Sequence, residues 1–504
     1  MVSLEMDESQ LRFILGAKLK QLRNEKDLSL SDVAALSGVS VSYLSEIEKG
    51  KKYPTPATII RLSRAIGVSF DELVSARMSG SLDPLTTILQ SSFIKEFPFE
   101  LFGIKPYELM NLVTNKPQEA GAFIQTLLEI GQSYDMSVEQ FLFAALRSYQ
   151  KMHNNYFDEL ECAAEELVRR KNWKTEPPRK AQDFEEVLVH DYGYDIGEIP
   201  LSKYPELAKF RSICSPGKKR KLFLNGKLLP SQKAFLLARE IGFRSLALEK
   251  HPVTSTWLDV ESFEEVLNNF KASYFAGALF ISRRMLVRDL ETFFKLKKWD
   301  GDSFLGIMGR YDATPEMFLY RLSQLIPKYF GLQEMFYLRF NNAAGARDFV
   351  LTKELNMSRV VVPHAMGLDE HYCRRWLSIQ LLQKMGAMRG KRLKGHPLVD
   401  AHRSYFVDNK AEFFVIAVGR ALALTGGTNS SISLGFLVDD NLKEKVRFWN
   451  DDSVSRVEVN ETCERCSLPK SSCRDRVAPP SIARKDDDRE RREKALQQFL
   501  TAVS

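Results

Sequence analysis

Between Leu28 and Pro54 the chain reads LSLSDVAALSGVSVSYLSEIEKGKKYP, and local backbone chemistry leaves this stretch few options. Val33, Ala34, Val39, Leu44 and Ile47 recur at spacings that turn them toward one small core when the segment forms two short helices. Ser29 with Asp32 makes a capping box for the first helix, and Ser40 caps the second. Gly38 between them supplies the sharp turn of a helix-turn-helix. Thr55-Pro56 through Gly67 adds a further helix with a cap, a proline at its first position and a terminal glycine. Ser69-Phe70-Asp71-Glu72 opens another with a second capping box, completing a five-helix domain within about 70 residues.

Over Leu11 to Leu73 this pattern resembles the Cro/C1-type (XRE) helix-turn-helix family. The residues carrying the resemblance are Leu28, Val33, Ala34, Gly38, Val39, Ser42, Leu44, Ile47, Glu48, Gly50, Lys51 and Pro54. The family's docking mode implies that Ser40, Val41, Ser42 and Glu46 face base edges of double-stranded DNA. Tyr43, Lys51 and Lys52 would then lie near phosphates. Leu30 stands where the family usually has a glutamine, so one polar contact is missing. Such heads bind two half-sites through a two-fold dimer, which implies a homodimer.

With 504 residues, 44% hydrophobic and 27% charged, the chain has room for three or four globular domains. A net charge of +7 permits DNA binding without proving it. No apolar run approaches the ~20 residues of a membrane span, and MVSLEMDESQ is no secretory leader. The expectation is a cytoplasmic protein without membrane contact. Six cysteines are too few for a disulfide scaffold in a reducing compartment.

The expected fold class is α+β, mainly α, in five stretches: the head over 1–78, a helical connector over 79–180, α+β blocks over 181–345 and 346–480, and a charged tail over 481–504. MSGSLDP after Arg77 and KTEPPRK mark boundaries. Ala120 to Ile130 and Val138 to Leu167 read as amphipathic helices, equally suited to dimerisation and to packing as a layer. VLVH and KLFLNGKL read as strands, the latter a hairpin turning at Asn225-Gly226. Helices follow at Pro230 to Gly242, Phe263 to Phe280, Arg283 to Phe294 and Pro315 to Leu325, with another near Glu370 to Met385. FFVIAVGRAL and SISLGFLV read as strands, and the tail as a solvated helix.

A zinc peptidase needs H-E-x-x-H on a helix. The stretch LLAREIGF offers Arg239-Glu240-Ile241-Gly242-Phe243, a glutamate without either histidine. FLNGKLLPSQKAFLLAREIGF and NFKASYFAGALFISRRML resemble the ImmA/IrrE-type zincin domain, whose further ligand position is Lys271 here. The resemblance implies a zincin-like fold without catalysis, and the chain reads as a non-enzyme.

Cys463, Cys466 and Cys473 fall within eleven residues at a spacing suited to zinc or an iron–sulfur centre. Cys373 in HYCRRW is the first candidate for a fourth ligand, with His396 and His402 behind it. Cys162 and Cys214 lack metal-ligand neighbours in sequence and read as buried thiols. The order of head, zincin-like middle, Cys-Arg-Arg-Trp element and terminal segment resembles the short-chain fatty-acyl transcriptional regulator family. Cys373, Arg375, Trp376, Cys463, Cys466, Arg476, Ala478, Pro479 and Pro480 carry that match. It implies acyl-CoA sensing and, in some members, a 4Fe-4S cluster. Phe436 stands where members often have a further cysteine.

The leading expectation is a dimeric transcription factor responding to a short-chain acyl-CoA, or to redox or metal state. The alternatives are a metallopeptidase-like regulator of a partner protein, which the missing histidines disfavour, and a purely redox-sensing iron–sulfur switch. No dinucleotide or P-loop fingerprint marks an acyl pocket. Lys218, Lys219, Arg220, Arg283 and Arg284 serve equally as phosphate contacts or as solvated surface.

Overall fold

The computed structural model describes residues 8–75, 97–104, 126, 137–174, 176–215, 220–254, 260, 262–360, 370–388, 396–469 and 471–503. The helix expected at Ala120 to Ile130, the MSGSLDP linker, Lys218 and Lys219 lie outside these residues. The chain divides into two compact units, Met1–Tyr149 with Asp259–Phe263, and Gln150–Leu258 with Glu264–Ser504.

The first unit contains α1 (Glu8–Glu25), α2 (Leu30–Ser37), α3 (Val41–Glu48), α4 (Pro56–Ile66) and α5 (Phe70–Val74). Each boundary has a local cause. Ser29 and Asp32 form the reciprocal capping box of α2. Ser40 accepts from the Tyr43 amide, Thr55 from Thr58 and Ser69 from Glu72. Gly38 and Gly67 end their helices in the left-handed region, at φ 65° and 70°. Leu15, Leu19, Val33, Val39, Leu44, Ile47, Ile59, Leu62, Ile66 and Leu73 form one buried core. Gly16 lets α1 approach the end of α3, because a Cβ there would stand 2.4 Å from the Ile47 carbonyl oxygen.

The second unit begins at the end of α6 (Val138–Met152) and continues with α7 (Asp158–Arg170) and α8 (Ala181–Tyr192). A small sheet in the order β1-β3-β2 follows, made of β1 (Asp195–Glu198), β2 (Ser212–Ser215) and β3 (Lys221–Leu224). Next come α9 (Pro230–Ser245), α10 (Phe263–Phe280), α11 (Arg283–Phe294), α12 (Gly301–Arg310) and α13 (Pro315–Phe330). The main sheet has the order β5-β4-β8-β7-β6-β9. It is built from β4 (Met335–Ala343), β5 (Val350–Asn356), β6 (Leu398–Phe406), β7 (Glu412–Ala421), β8 (Thr428–Leu437) and β9 (Arg456–Val459). α14 (Leu377–Ala387) covers one face through Trp376, Leu377, Leu381 and Leu382, which meet Phe336, Leu338, Phe413 and Val415. α13 packs against β4, β7 and β8 as well. α15 (Asp440–Lys445) and the expected tail helix, α16 (Ser481–Val503), complete the described elements.

Several expectations change. VLVH belongs to α8, where Phe184, Val187 and Leu188 are buried at helical spacing. Lys221–Leu224 is a strand, but its Asn225-Gly226 turn leads into α9, not back along a hairpin. The Asn225 side chain donates to the carbonyls of Ala208 and Phe210 and accepts from the Lys227 amide, so an Asx turn joins strand to helix. The single helix expected from Val138 to Leu167 breaks at Asn154 and Asn155, both at positive φ. Glu370 to Trp376 precede α14 as loop, α13 runs on to Phe330, and α12 was not foreseen.

A buried ion pair holds the helical layer together. Arg321 on α13 donates two bonds to Glu161 on α7, at 2.5 and 2.7 Å, with side chains 1% and 2% exposed. Tyr274 on α10 donates to the same carboxylate at 2.8 Å. Burial lowers the Arg321 pKa and Glu161 raises it, with a net rise. Arg321→Met strands the carboxylate and is expected to cost ~3–5 kcal/mol in urea unfolding. The double variant Arg321→Met/Glu161→Leu should recover most of that loss.

Candidate functional site

α3 presents the residues expected to meet DNA. Ser40, Val41 and Ser42 are exposed at its start, while Leu44 and Ile47 anchor the opposite face in the core. The helix is pinned from behind by Arg23 of α1, which donates to both Glu48 oxygens at 2.7 and 3.0 Å and to the Leu28 carbonyl at 2.9 Å. That bidentate bond raises the Arg23 pKa. Glu46 and Lys52, expected at bases and at phosphates, pair with each other at 2.8 Å. This bond lowers the Glu46 pKa and raises that of Lys52. The Lys52 ammonium also lies 5.6 Å from the Tyr43 ring centre, and Lys51 is exposed beside it. Leu30 packs against the core in place of the family's polar contact.

In the second unit the four cysteines singled out from sequence are all buried. A short antiparallel bridge between Tyr372 and Thr462 brings Cys373 beside Cys463. It is framed by bonds from the Cys463 amide to the His371 carbonyl and from the Cys373 amide to that of Glu461. Burial pushes the Cys373 thiol up to about 11, backbone amides of Asn460 and Arg375 oppose this, and Cys463 and Cys466 act on it as like charges. Burial also raises Cys463, which the Val477 and Ala478 amides oppose and on which Cys473 bears. The Arg375, Trp376 and Arg476 of the family pattern are backbone anchors here. Arg375 donates to the carbonyls of Glu458 and Ser472, Trp376 to that of Asn460, and Arg476 to those of Cys466 and Leu468. His371, which sequence reasoning passed over, bonds Glu464 through Nδ1 at 2.8 Å. No three of the four sulfurs lie within 4.8 Å of one another.

Comparison with known proteins separates the head from the rest. The Helix-turn-helix family matches residues 19–73. An uncharacterized HTH-type transcriptional regulator, y4dJ, of Sinorhizobium fredii is 43% identical over 65 residues, covering 13% of this chain and 84% of that protein. The chain belongs to the HTH-type transcriptional regulators. A longer match joins the regulator to the HTH-type transcriptional regulator RamB of Mycobacterium tuberculosis, 22% identical over 339 residues, covering 62% of this chain and 65% of RamB. A solved Mycobacterium tuberculosis transcriptional regulator aligns with a TM-score of 0.45 and 17% identity over 67% of this chain and 93% of that one, too low for a shared fold to follow. The two sequence relatives are HTH-type transcriptional regulators, the class that the reading from sequence expected. The described residues hold no helix long and apolar enough to cross a membrane.

The regulator carries a second polar centre on α9. Glu240, 4% exposed, accepts from the Tyr194 hydroxyl at 2.5 Å and lies 2.8 Å from His251 Nε2. Cys214 Sγ stands 4.0 Å from Oε1, the oxygen that Tyr194 bonds, while His251 is at Oε2. Cys214 therefore has the metal-ligand neighbours that the sequence did not reveal. Cys162, also read as buried, is exposed beside Asp158. Burial opposes ionisation of Glu240, but His251, Tyr194 and Arg239 hold its carboxyl below the usual range.

Next to Glu240 on the same helix, Arg239 lines a cavity of about 200 Å³ with Arg211, Tyr320, Tyr337 and Lys353. Glu316 in its wall is paired with Arg339 and Arg420. Among the described residues Arg211, Arg239 and Lys353 have no ion-pair partner, and Arg239 Nε has no hydrogen bond. Burial pushes Arg239 down to about 10 and Lys353 to about 8. Lys353 is itself exposed on β5 and lies 3.5 Å from the Tyr320 ring centre, so the crowding around its ammonium comes from that ring and from the neighbouring cations, not from full enclosure. The cations named from sequence are placed differently. Arg283 is committed to Glu165, Asp158 and Tyr156, Arg220 bonds the Tyr192 carbonyl, and Arg284 is on the surface.

His396 is exposed. His402 is buried on β6 with its Nε2 2.7 Å from Ser404 Oγ. Burial lowers the His402 pKa to about 3. The unfolded chain, near 6.5, binds the proton that the folded one refuses. Stability is thus complete above pH ~6.5 and is lost as pH falls toward 3, at up to ~1.4 kcal/mol per pH unit. The thermal midpoint should fall between pH 7 and pH 5, and His402→Gln should flatten that fall.

Proposed function

We propose that the regulator binds a two-fold double-stranded operator as a homodimer, with α3 in the major groove, and that a small anionic effector acting on the second unit controls this binding. Ser40, Val41, Ser42 and Glu46 would read base edges, while Tyr43, Lys51 and Lys52 would contact phosphates. Exposure of the first three supports the reading. The Glu46–Lys52 pair must open or tilt before both can engage. Few polar groups then point at bases, which leaves a larger share of specificity to DNA shape.

The observation carrying the effector is the cavity lined by Arg239, buried without an ion pair among the described residues, with Arg211 and Lys353 beside it. A buried guanidinium lacking an anion is costly, and an anionic ligand removes that cost. About 200 Å³ is below the range that encloses a drug-sized ligand, so the cavity suits one end of a short-chain acyl-CoA, not the whole molecule. To act on the head the ligand must bind two states of the dimer unequally.

A second reading, a redox switch, is supported by Cys373, Cys463, Cys466 and Cys473. Four thiolates around one zinc at ~2.3 Å would stand about 3.8 Å apart; no three of these sulfurs come within 4.8 Å of one another, and backbone amides bear on two of them. This donor set fits a polynuclear centre better than one zinc. A bound 4Fe-4S cluster supplies a one-electron change of charge, while the chain's part is to bury the thiolates and aim amides at them. Anaerobic purification should yield iron and sulfide together; zinc alone would overturn the cluster reading. A metallopeptidase is not favoured, because Arg239 and Phe243 occupy the two histidine positions.

Operator titrations over a salt series test the head. Lys51→Ala should weaken binding equally across sequences and reduce the salt slope by about 1, whereas Ser42→Ala should alter base preference. Arg239→Met should abolish any shift of operator affinity by acyl-CoA while leaving effector-free binding intact. An unchanged shift would rule out the cavity.

A further inference from the structure

Glu240, the residue that a peptidase would use to activate water, has acquired different neighbours. Besides Arg244 on its own helix, 3.7 Å away, it meets three separate elements: Cys214 from β2, His251 from the loop after α9, and Tyr194 from the turn after α8. The loop is fastened to β2 by the Cys214 amide, which donates to the Val253 carbonyl at 2.7 Å, and by an Ile213–Thr254 bridge. The His251 ring rests 4.2 Å from the centre of Phe243. One sulfur, one imidazole nitrogen and one carboxylate oxygen thereby converge within 4.8 Å of one another, and Cys214 and Glu240 are buried.

A network of hydrogen bonds around Glu240 accounts for Tyr194, Arg244 and His251 but not for the thiol. At 4.0 Å the Cys214–Glu240 contact is at the limit for sulfur, whereas the distance suits two ligands of one ion. Zinc with oxygen and nitrogen donors at ~2.0 Å sets them about 3.3 Å apart in a tetrahedron. The Glu240 Oε2–His251 pair at 2.8 Å therefore needs to open by about half an ångström, and the thiol, 4.0 Å from Oε1, to close in so that both carboxylate oxygens or one of them can share the ion with it. Thiolate and carboxylate together neutralise a dication. The mixed S, N and O donors select zinc-class ions over calcium or magnesium, which take oxygen ligands.

We propose that Cys214, Glu240 and His251 form a binding site for a zinc-class divalent ion, separate from the cysteine cluster at 463–473. Glu240 serves as a ligand there, so it does not act as the base of a hydrolase, and the ion clamps β2, α9 and the 251 loop together.

Cobalt(II) is the probe, added anaerobically to the full chain after reduction and removal of metal. The native protein should take up one equivalent more than Cys214→Ser, and that variant should lose one increment of near-ultraviolet thiolate-to-cobalt absorption. His251→Cys keeps a ligand at the third position; it should retain the equivalent and gain an increment of the size that Cys214→Ser loses. Cys162→Ser should match the native protein, and zinc should bleach the signal. Equal cobalt uptake and absorption in native protein and Cys214→Ser, both folded by circular dichroism, overturns the proposal. Should Cys214→Ser not fold, His251→Cys decides, and unchanged absorption in that variant overturns the proposal equally.

Discussion

Several buried carboxylates in this fold are closed by arginines, and that pairing orders the second unit. Glu161 is closed by Arg321 and Tyr274, which draws α7, α10 and α13 together. Glu316 is closed by Arg339 and Arg420, joining α13 to strands β4 and β7. Burial opposes the Glu316 charge, but those arginines and Arg211 hold its carboxyl below its usual range. The same rule pins α3, where Glu48 takes the fork of Arg23. Against this background Arg239, 8% exposed and without an ion pair among the described residues, stands apart.

The head was legible because its signals are local. Ser29, Ser40, Thr55 and Ser69 each cap a helix within three residues of themselves, and Gly38 and Gly67 end helices by their own backbone preference. Cys373 was singled out for another reason, the Cys-Arg-Arg-Trp pattern, and the Tyr372–Thr462 bridge places it beside Cys463. The errors arose where local chemistry serves two structures. An Asn-Gly turn joins strand to helix as readily as strand to strand, and VLVH satisfies both a strand and the apolar face of α8. The buried Asn155, bonded to Gln150 and Ser323, ends a helix that periodicity alone would continue.

What could not be read was assembled across distance. Cys214 lies 26 residues before Glu240, and His251 11 after it, with no motif spacing to mark them. The cavity draws Arg211 from the small sheet's approach, Arg239 from α9 and Lys353 from β5. Phe436, in place of a cysteine, is buried on β8 between Gly435 and Leu437. Strand alternation turns it to the face opposite Leu437, which packs with Cys373 and α14. A cysteine at that position would thus face away from Cys373.

β4 ends two residues before the boundary that the sequence indicated at 345, yet it is the second strand of the main sheet. It bonds β5 on one side and β8 on the other. A fragment beginning at residue 346 would lose both ladders. β5 would detach, and β8, whose eight interior residues are all buried, would become a bare edge able to template pairing with another chain. The second unit is therefore not divisible at that point: the cavity beside Arg239 and the cysteine cluster hang from one sheet, and dissecting the two by truncation would yield aggregates instead of modules.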